Sequence, residues 1–205
     1  MFASMEALQE HCLSCQACPL AETRTKVAFG VGPSNAQVLF VGEGPGENED
    51  LTGEPFVGRG GKLLDKYLET VSLSRKTNVY IANIVKCRPP GNRDPLPAEQ
   101  EQCIGYLRNQ VAILRPKIIV CLGRIAAQVI IKKDFKVTRE HGDWVERKGT
   151  WLMGTFHPAA LLRNPGSKPD ALEDFQSLRE KIAEVCSHEL YAECIAGIPK
   201  ENRES

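Results

Sequence analysis

The chain has no excess of charge of either sign: 26 Lys and Arg stand against 26 Asp and Glu. A polycation that holds nucleic acid through its overall charge is therefore excluded. No run of about 18 apolar residues occurs, so no segment reads as a membrane-spanning helix. The opening residues, Met1-Phe2-Ala3-Ser4-Met5-Glu6, lack the basic patch and apolar stretch of a secretory signal. An intracellular, cytoplasmic protein without a membrane partner is the expectation, and a monomer is assumed. Internal repeats and low-complexity tracts are also absent. A chain of 205 residues can bury a substantial core without disulfides. One domain over residues 1–187 is expected, followed by a polar, loosely ordered tail at 188–205.

What is present is unevenly placed. Residues 115–169 carry 11 Lys/Arg against 4 Asp/Glu, and residues 170–205 carry 4 against 9. Segment 86–93 has three bases and no acid, whereas 41–55 has five acids and no base. Such blocks can build one positive face on a neutral protein, although accidental clustering on a solvated surface has the same composition. Cysteine is abundant, at eight residues. In a reducing compartment a disulfide framework is not expected. Cys12, Cys15 and Cys18 form C-x2-C-x2-C, and fifteen residues separate Cys87 from Cys103, spacing that points to metal. Four thiolates suit a [4Fe-4S] centre and also tetrahedral zinc, and five cysteines compete for the four places. Cys121 lies in an apolar run and reads as core. Cys186 and Cys194 show no pattern.

Apolar runs predict strands at 37–42, 78–85 and 117–123, with two more near 143–147 and 150–156. Helical spacing of Leu63, Leu64, Tyr67, Leu68 and Val71 predicts a helix over 60–72. Pro97 opens a second helix that runs to about 114, and further helices are expected at 125–131 and 170–186. Residues 88–97 read as a loop, and 157–163 as a loop or short helix. Strands alternating with helices define an α/β fold: a three-layer α/β/α sandwich around a short, mainly parallel sheet. Ligands in such folds bind at the carboxyl ends of the strands, where the segments 42–49, 83–93 and 156–163 fall.

The turn Gly42-Glu43-Gly44-Pro45-Gly46-Glu47 does not fit G-x-G-x-x-G, because position 47 is Glu. The Gly61-Lys62 pair has Phe56 where a P-loop glycine would stand and Leu63 in place of Ser or Thr. A tight turn that presents backbone amides and a carboxylate at a strand end is the better reading. Taken singly, His157, Asn83 and Phe56 each have an ordinary structural explanation. Their combination is more informative.

Gly42-Glu43-Gly44-Pro45-Gly46-Glu47, followed by Gly53-Glu54-Pro55-Phe56-Val57-Gly58, resembles the first motif of the uracil-DNA glycosylase superfamily in its family-4 form. Asn83-Ile84-Val85-Lys86-Cys87-Arg88-Pro89-Pro90 is similar to the second motif, and His157-Pro158-Ala159-Ala160-Leu161-Leu162-Arg163 to the third. The resemblance covers about residues 15–185. It implies a DNA-repair enzyme that hydrolyses the N-glycosidic bond of deoxyuridine and carries a [4Fe-4S] cluster. The implied ligands are Cys15, Cys18, Cys87 and Cys103, with Cys12 an extra thiol, although spacing also allows the slipped pair Cys12 and Cys15. The loop at 88–97 has no His, unlike the related proteins that bind uracil sites covalently.

The resemblance also implies roles. Gly44, Glu47, Phe56 and Asn83 contact the base, with Phe56 stacking and the Asn83 amide reading uracil O4 and N3–H. His157 donates to uracil O2 as the bond breaks. The better-known family-1 enzymes use an Asp where this chain has Gly44, which leaves Glu43 and Glu49 as the expected water-positioning pair. Lys86, Arg88, Arg93 and Arg163 are expected on DNA phosphates, and Leu161 or Leu162 in the space left by the base. No lysine is placed for Schiff-base chemistry, so the glycosylase is expected to be monofunctional. A non-catalytic DNA-binding protein on the same fold, or a small iron–sulfur electron carrier, are the alternatives.

Overall fold

A run such as Val38-Leu39-Phe40-Val41 is apolar at every position, and only a strand covered on both faces can bury it. The computed structural model, which describes residues 2–198, places three such strands side by side. In chain order the elements begin with α1 (Met5–Leu13), α2 (Leu20–Thr23), β1 (Val38–Gly42), α3 (Glu47–Thr52), α4 (Arg59–Thr70) and β2 (Val79–Asn83). They continue with α5 (Pro97–Leu114), β3 (Ile118–Leu122), α6 (Arg124–Ile130), α7 (Val137–Glu140), β4 (Trp144–Arg147) and β5 (Thr150–Thr155). The last are α8 (Pro158–Arg163), α9 (Lys168–Val185) and α10 (Ala192–Ile195).

The sheet order is β2-β1-β3-β5-β4. All neighbours are parallel except β4, which runs back along β5 through a two-residue turn. Lys148 and Gly149 in that turn both have left-handed φ values, 53° and 80°, which matches the twist of a tight hairpin. At the other edge an antiparallel bridge from Val31 covers Ile81 of β2. Strand alternation then sorts the side chains. Val38, Phe40, Val79, Ile81, Ile118 and Val120 face a core closed by α4, α8, α9 and α10. Leu39, Val41, Tyr80, Ala82, Ile119 and Cys121 face a second core closed by α1, α5 and α6. The three-layer α/β/α arrangement follows.

Register decides where the site falls. Gly42 lies opposite Asn83, and Leu122 opposite Thr155, so four strands end level with one another. The strand expected to reach residue 85 stops at Asn83. Beyond it Ile84 and Val85 donate to the carbonyls of Gly42 and Glu43 at 2.9 and 3.1 Å. Residues 158–163 form a helix, with His157 as its N-cap and Pro158 in its first turn.

One expectation is corrected. The segment after residue 187, read as a loose tail, docks against the first core with Tyr191, Cys194, Ile195 and Ile198 buried; residues 199–205 lie outside the described residues. The polar composition concealed an anchor. The Tyr191 hydroxyl donates to the Asn78 carbonyl at 2.7 Å and accepts from the N–H groups of Gln37 and Val38 at 2.9 and 3.1 Å. Removing the hydroxyl takes this partner from all three buried backbone groups. Tyr191→Phe is expected to cost about 1–3 kcal/mol in urea unfolding, with the chemistry at the opposite end of the sheet unchanged.

Candidate active site and cysteine pocket

A cleft of about 630 Å³ opens where the strands end. It gathers Glu43, Gly44, Glu47 and Glu49 from the turn after β1, Asn83 from β2, His157 from the end of β5, and Phe56 from the loop before α4. Three segments far apart in sequence thus meet in one concavity because the strands that carry them are parallel and level.

His157 is held in one tautomer. The Ala159 N–H donates to its Nδ1 at 3.2 Å, which leaves Nε2 to carry the proton. Burial, aided by the positive charge of Arg163 and opposed by Glu49, pulls the imidazole down to about 4. At neutral pH it is therefore an uncharged ring with an N–H donor facing the cleft. Its close approach to β3 requires Gly123, where a Cβ would stand 2.8 Å from the Cβ of His157. The Phe56 ring lies beside it, with centroids 5.6 Å apart.

Asn83 is 1% exposed. Its Oδ1 is buried and has no hydrogen-bond partner among the described residues. Buried polar atoms are nearly always paired, and the exceptions call for an explanation. A Cβ at Gly42 would stand 2.5 Å from this oxygen and 2.4 Å from Cζ of Phe56. Only glycine at position 42 lets the amide and the ring share the cleft.

The two carboxylates expected to position water have different surroundings. Glu43 is half-buried on the cleft wall. Burial pushes its carboxyl up to about 7, assisted by the nearby charge of Asp94 and opposed by Arg124. Glu49 is already engaged. Its Oε1 accepts from the N–H groups of Val57 and Gly58 at 2.8 Å each, and its Oε2 from Gly46 at 3.1 Å. That carboxylate ties two loops together. The sequence could not separate the two because both are acids on one glycine-rich turn.

The expected DNA contacts also divide. Lys86 is 1% exposed and cannot reach a phosphate. Its ammonium donates to the Asn83 carbonyl at 2.9 Å and to Gln110 Oε1 at 2.7 Å, and burial pulls it down to about 8. The alternation that puts Tyr80, Ala82 and Ile84 in the second core carries Lys86 there as well. Leu161 is buried in the first core, at 2% exposed, which removes it as a wedge, while Leu162 is half-buried. Arg93 lines the cleft, but a bidentate pair with Glu99 at 2.6 and 2.9 Å occupies its guanidinium. Arg88 is turned to Asn92 at 2.7 Å. Arg163 is exposed on the rim.

Sequence reasoning missed Arg59 and Arg124, both exposed on the same rim. Arg124 follows Gly123 at the end of β3 and pairs with Asp94 at 2.5 Å. The rule that ligands gather at strand ends applies to β3 too and would have found it.

On the far side of the β2 loop, Cys12, Cys15, Cys18, Cys87 and Cys103 line one pocket. Cys103 accepts a hydrogen bond from the Lys86 N–H at 3.2 Å, and Cys87 one from Arg24 at 3.4 Å. Burial pushes both thiols up, Cys103 to about 11, and the hydrogen bonds oppose that shift without overcoming it. Among the described residues no three His, Cys, Asp or Glu side chains converge closely enough to hold a single metal ion. Cys121, Cys186 and Cys194 are buried elsewhere in the two cores.

Comparison with known proteins places the chain in a family. Residues 29–181 match the sequence model of the uracil DNA glycosylase superfamily, and the chain belongs to that superfamily. Within it, the chain is similar to proteins named Type-4 uracil-DNA glycosylase. That of Archaeoglobus fulgidus is 44% identical over 191 residues, covering 89% of this chain and 94% of the relative. That of Thermotoga maritima is 43% identical, covering 87% and 94%, and that of Sulfurisphaera tokodaii 42% identical, covering 86% and 84%.

Proposed function

We propose that the chain is a monofunctional DNA-repair glycosylase that hydrolyses the N-glycosidic bond of deoxyuridine, releasing uracil and leaving an abasic site. The observation that carries the reading is the buried, unpartnered Asn83 Oδ1 beside an aromatic ring and a neutral imidazole. Uracil presents an N3–H donor to such an oxygen, and the amide nitrogen of Asn83 can donate to uracil O4. Cytosine presents a bare N3 there, so two lone pairs would face each other. Buried mismatches of this kind cost about 1–3 kcal/mol each.

The base must leave the helical stack to reach the cleft. Arg59, Arg124 and Arg163 on the rim are the residues we assign to DNA phosphates, and Leu162 to the space the base vacates. Phe56 stacks on the extruded ring. Bond cleavage places negative charge on uracil, and the His157 Nε2–H is aimed to stabilise it at O2 without transferring its proton. Glu43, with a carboxyl near neutrality, takes a proton from the water that attacks C1′. Glu49 acts through the loops it holds.

Cys15, Cys18, Cys87 and Cys103 are the residues we assign to a [4Fe-4S] cluster. Its contribution is mechanical, tying the N-terminal segment to the loop after β2. What supports the reading is that these sulfurs line one pocket and that Cys87 and Cys103 accept hydrogen bonds. Cys12, 1% exposed within α1, is the surplus thiol.

Three measurements check the scheme. Incubated with a uracil-containing oligonucleotide, the protein should release free uracil and leave the cytosine and thymine controls intact, and His157→Ala should slow single-turnover release by about 10²-fold or more. Binding without release would instead identify a non-catalytic DNA-binding protein. The second is the pH profile. Glu43 is protonated below about 7, so the rate should rise with pH through neutrality and level off, while His157 stays neutral down to about 4. Glu43→Gln should remove that limb and about 10²–10⁴-fold of rate. Third, purified protein should hold about four iron atoms, retained in Cys12→Ser and lost in Cys18→Ser. One zinc per chain would overturn the cluster.

A further inference from the structure

Phe56, whose ring forms one side of the base pocket, has φ 54°. An aromatic residue in the left-handed region is strained and persists only where its surroundings over-determine it. Two supports lie on either side of it. Glu49 accepts the N–H groups of Val57 and Gly58 just after it. From below, Gly61 of α4 admits the Phe56 backbone, since a Cβ there would stand 1.8 Å from its carbonyl oxygen.

The third support is Arg75, in the turn between α4 and β2, with a side chain 10% exposed. Its Nη1 donates to the Pro55 carbonyl at 2.7 Å and its Nη2 to the Phe56 carbonyl at 2.9 Å. Its Nε donates to Asp65 of α4 at 2.9 Å, which fixes the fork. Successive carbonyls of an extended strand point to opposite sides, so a turn is needed to bring both to one guanidinium. The fork and the left-handed conformation therefore stabilise each other. A lysine has no second arm with which to repeat this.

We propose that Arg75 is a positioning residue of the base pocket: by gripping the Pro55 and Phe56 carbonyls it fixes the backbone turn that presents the Phe56 ring to the extruded base. Arg75 does not line the cleft and reaches it only through the Phe56 backbone. The proposal rests on the reading of the cleft as a uracil site, and its test has one arm that does not.

That arm is NMR of protein labelled with ¹³C in its seven phenylalanine rings, the Phe56 signal being assigned by its loss in Phe56→Ala. In Arg75→Met the Phe56 signal should move toward the position of a freely averaging ring while the other signals hold. The second arm is single-turnover uracil excision. Arg75→Met and Phe56→Ala should each slow it roughly 5- to 100-fold, the span of a lost base–aromatic stack. The double variant should be within about threefold of the slower single variant, because both remove one contact. Arg75→Met combined with His157→Ala should instead multiply. Arg75→Lys should fall between wild type and Arg75→Met, and it replaces Arg75→Met in the same cycle if the latter fails to fold. An unmoved Phe56 signal, a wild-type rate in Arg75→Met, or losses that multiply with Phe56→Ala would each overturn the proposal. A wild-type protein that releases no uracil overturns the function instead, and the NMR arm still decides the role of Arg75.

Discussion

The cleft depends on the close approach of two strand ends, which the absence of a side chain at Gly42 permits. Gly42 and Asn83 are partners in the parallel register of β1 and β2, and the Phe56 ring is folded over them. A methyl group at position 42 would overlap both the ring and the amide. The same exclusion recurs at Gly61 under Phe56 and at Gly123 beside His157. Each of the three side chains that define the pocket is thus set by a glycine whose own backbone is closely approached, by side chains at Gly42 and Gly123 and by backbone at Gly61. Close backbone approach is among the chief uses of glycine in folded chains, and here it fixes where an aromatic face, an amide and an imidazole meet.

Lys86 links this pocket to the cysteines behind it. Its ammonium holds the Asn83 carbonyl, while its own N–H reaches the Cys103 sulfur. A fully buried cation whose direct partners are neutral carbonyl oxygens is costly, and burial accordingly pulls it down to about 8. The loop after β2 is consequently fixed from both sides, through the Asn83 carbonyl and through the Cys103 sulfur. That arrangement explains why a segment rich in Pro and Arg after the strand is ordered at all.

Much of this was legible in the sequence, for identifiable reasons. Strands buried on both faces leave unbroken apolar runs, so β1, β2 and β3 were found within a residue or two at most ends. The parallel order then located the carboxyl ends where Glu43, Asn83 and His157 fall. Charge was less readable. Lys86, Arg88 and Arg93 form one basic block in sequence, yet one is buried, one faces Asn92 and one is clasped by Glu99. Side-chain direction, which composition does not record, separated them. Long-range pairing was invisible for the same reason. The hydroxyl of Tyr191 satisfies groups at 37, 38 and 78, and nothing near residue 191 announces that.

The reversed strand β4 has a bearing on how the molecule behaves in company. An open sheet edge offers rows of unpaired amides and carbonyls to any neighbouring chain. Here the outer edge is only four residues long, three of them exposed, and it ends in Glu146 and Arg147. Arg147 folds back to the carbonyls of Ile130 and Ile131, and the opposite edge is shielded where Val31 bridges Ile81. A parallel core of high apolar content is thereby kept from serving as a template for strand-to-strand aggregation.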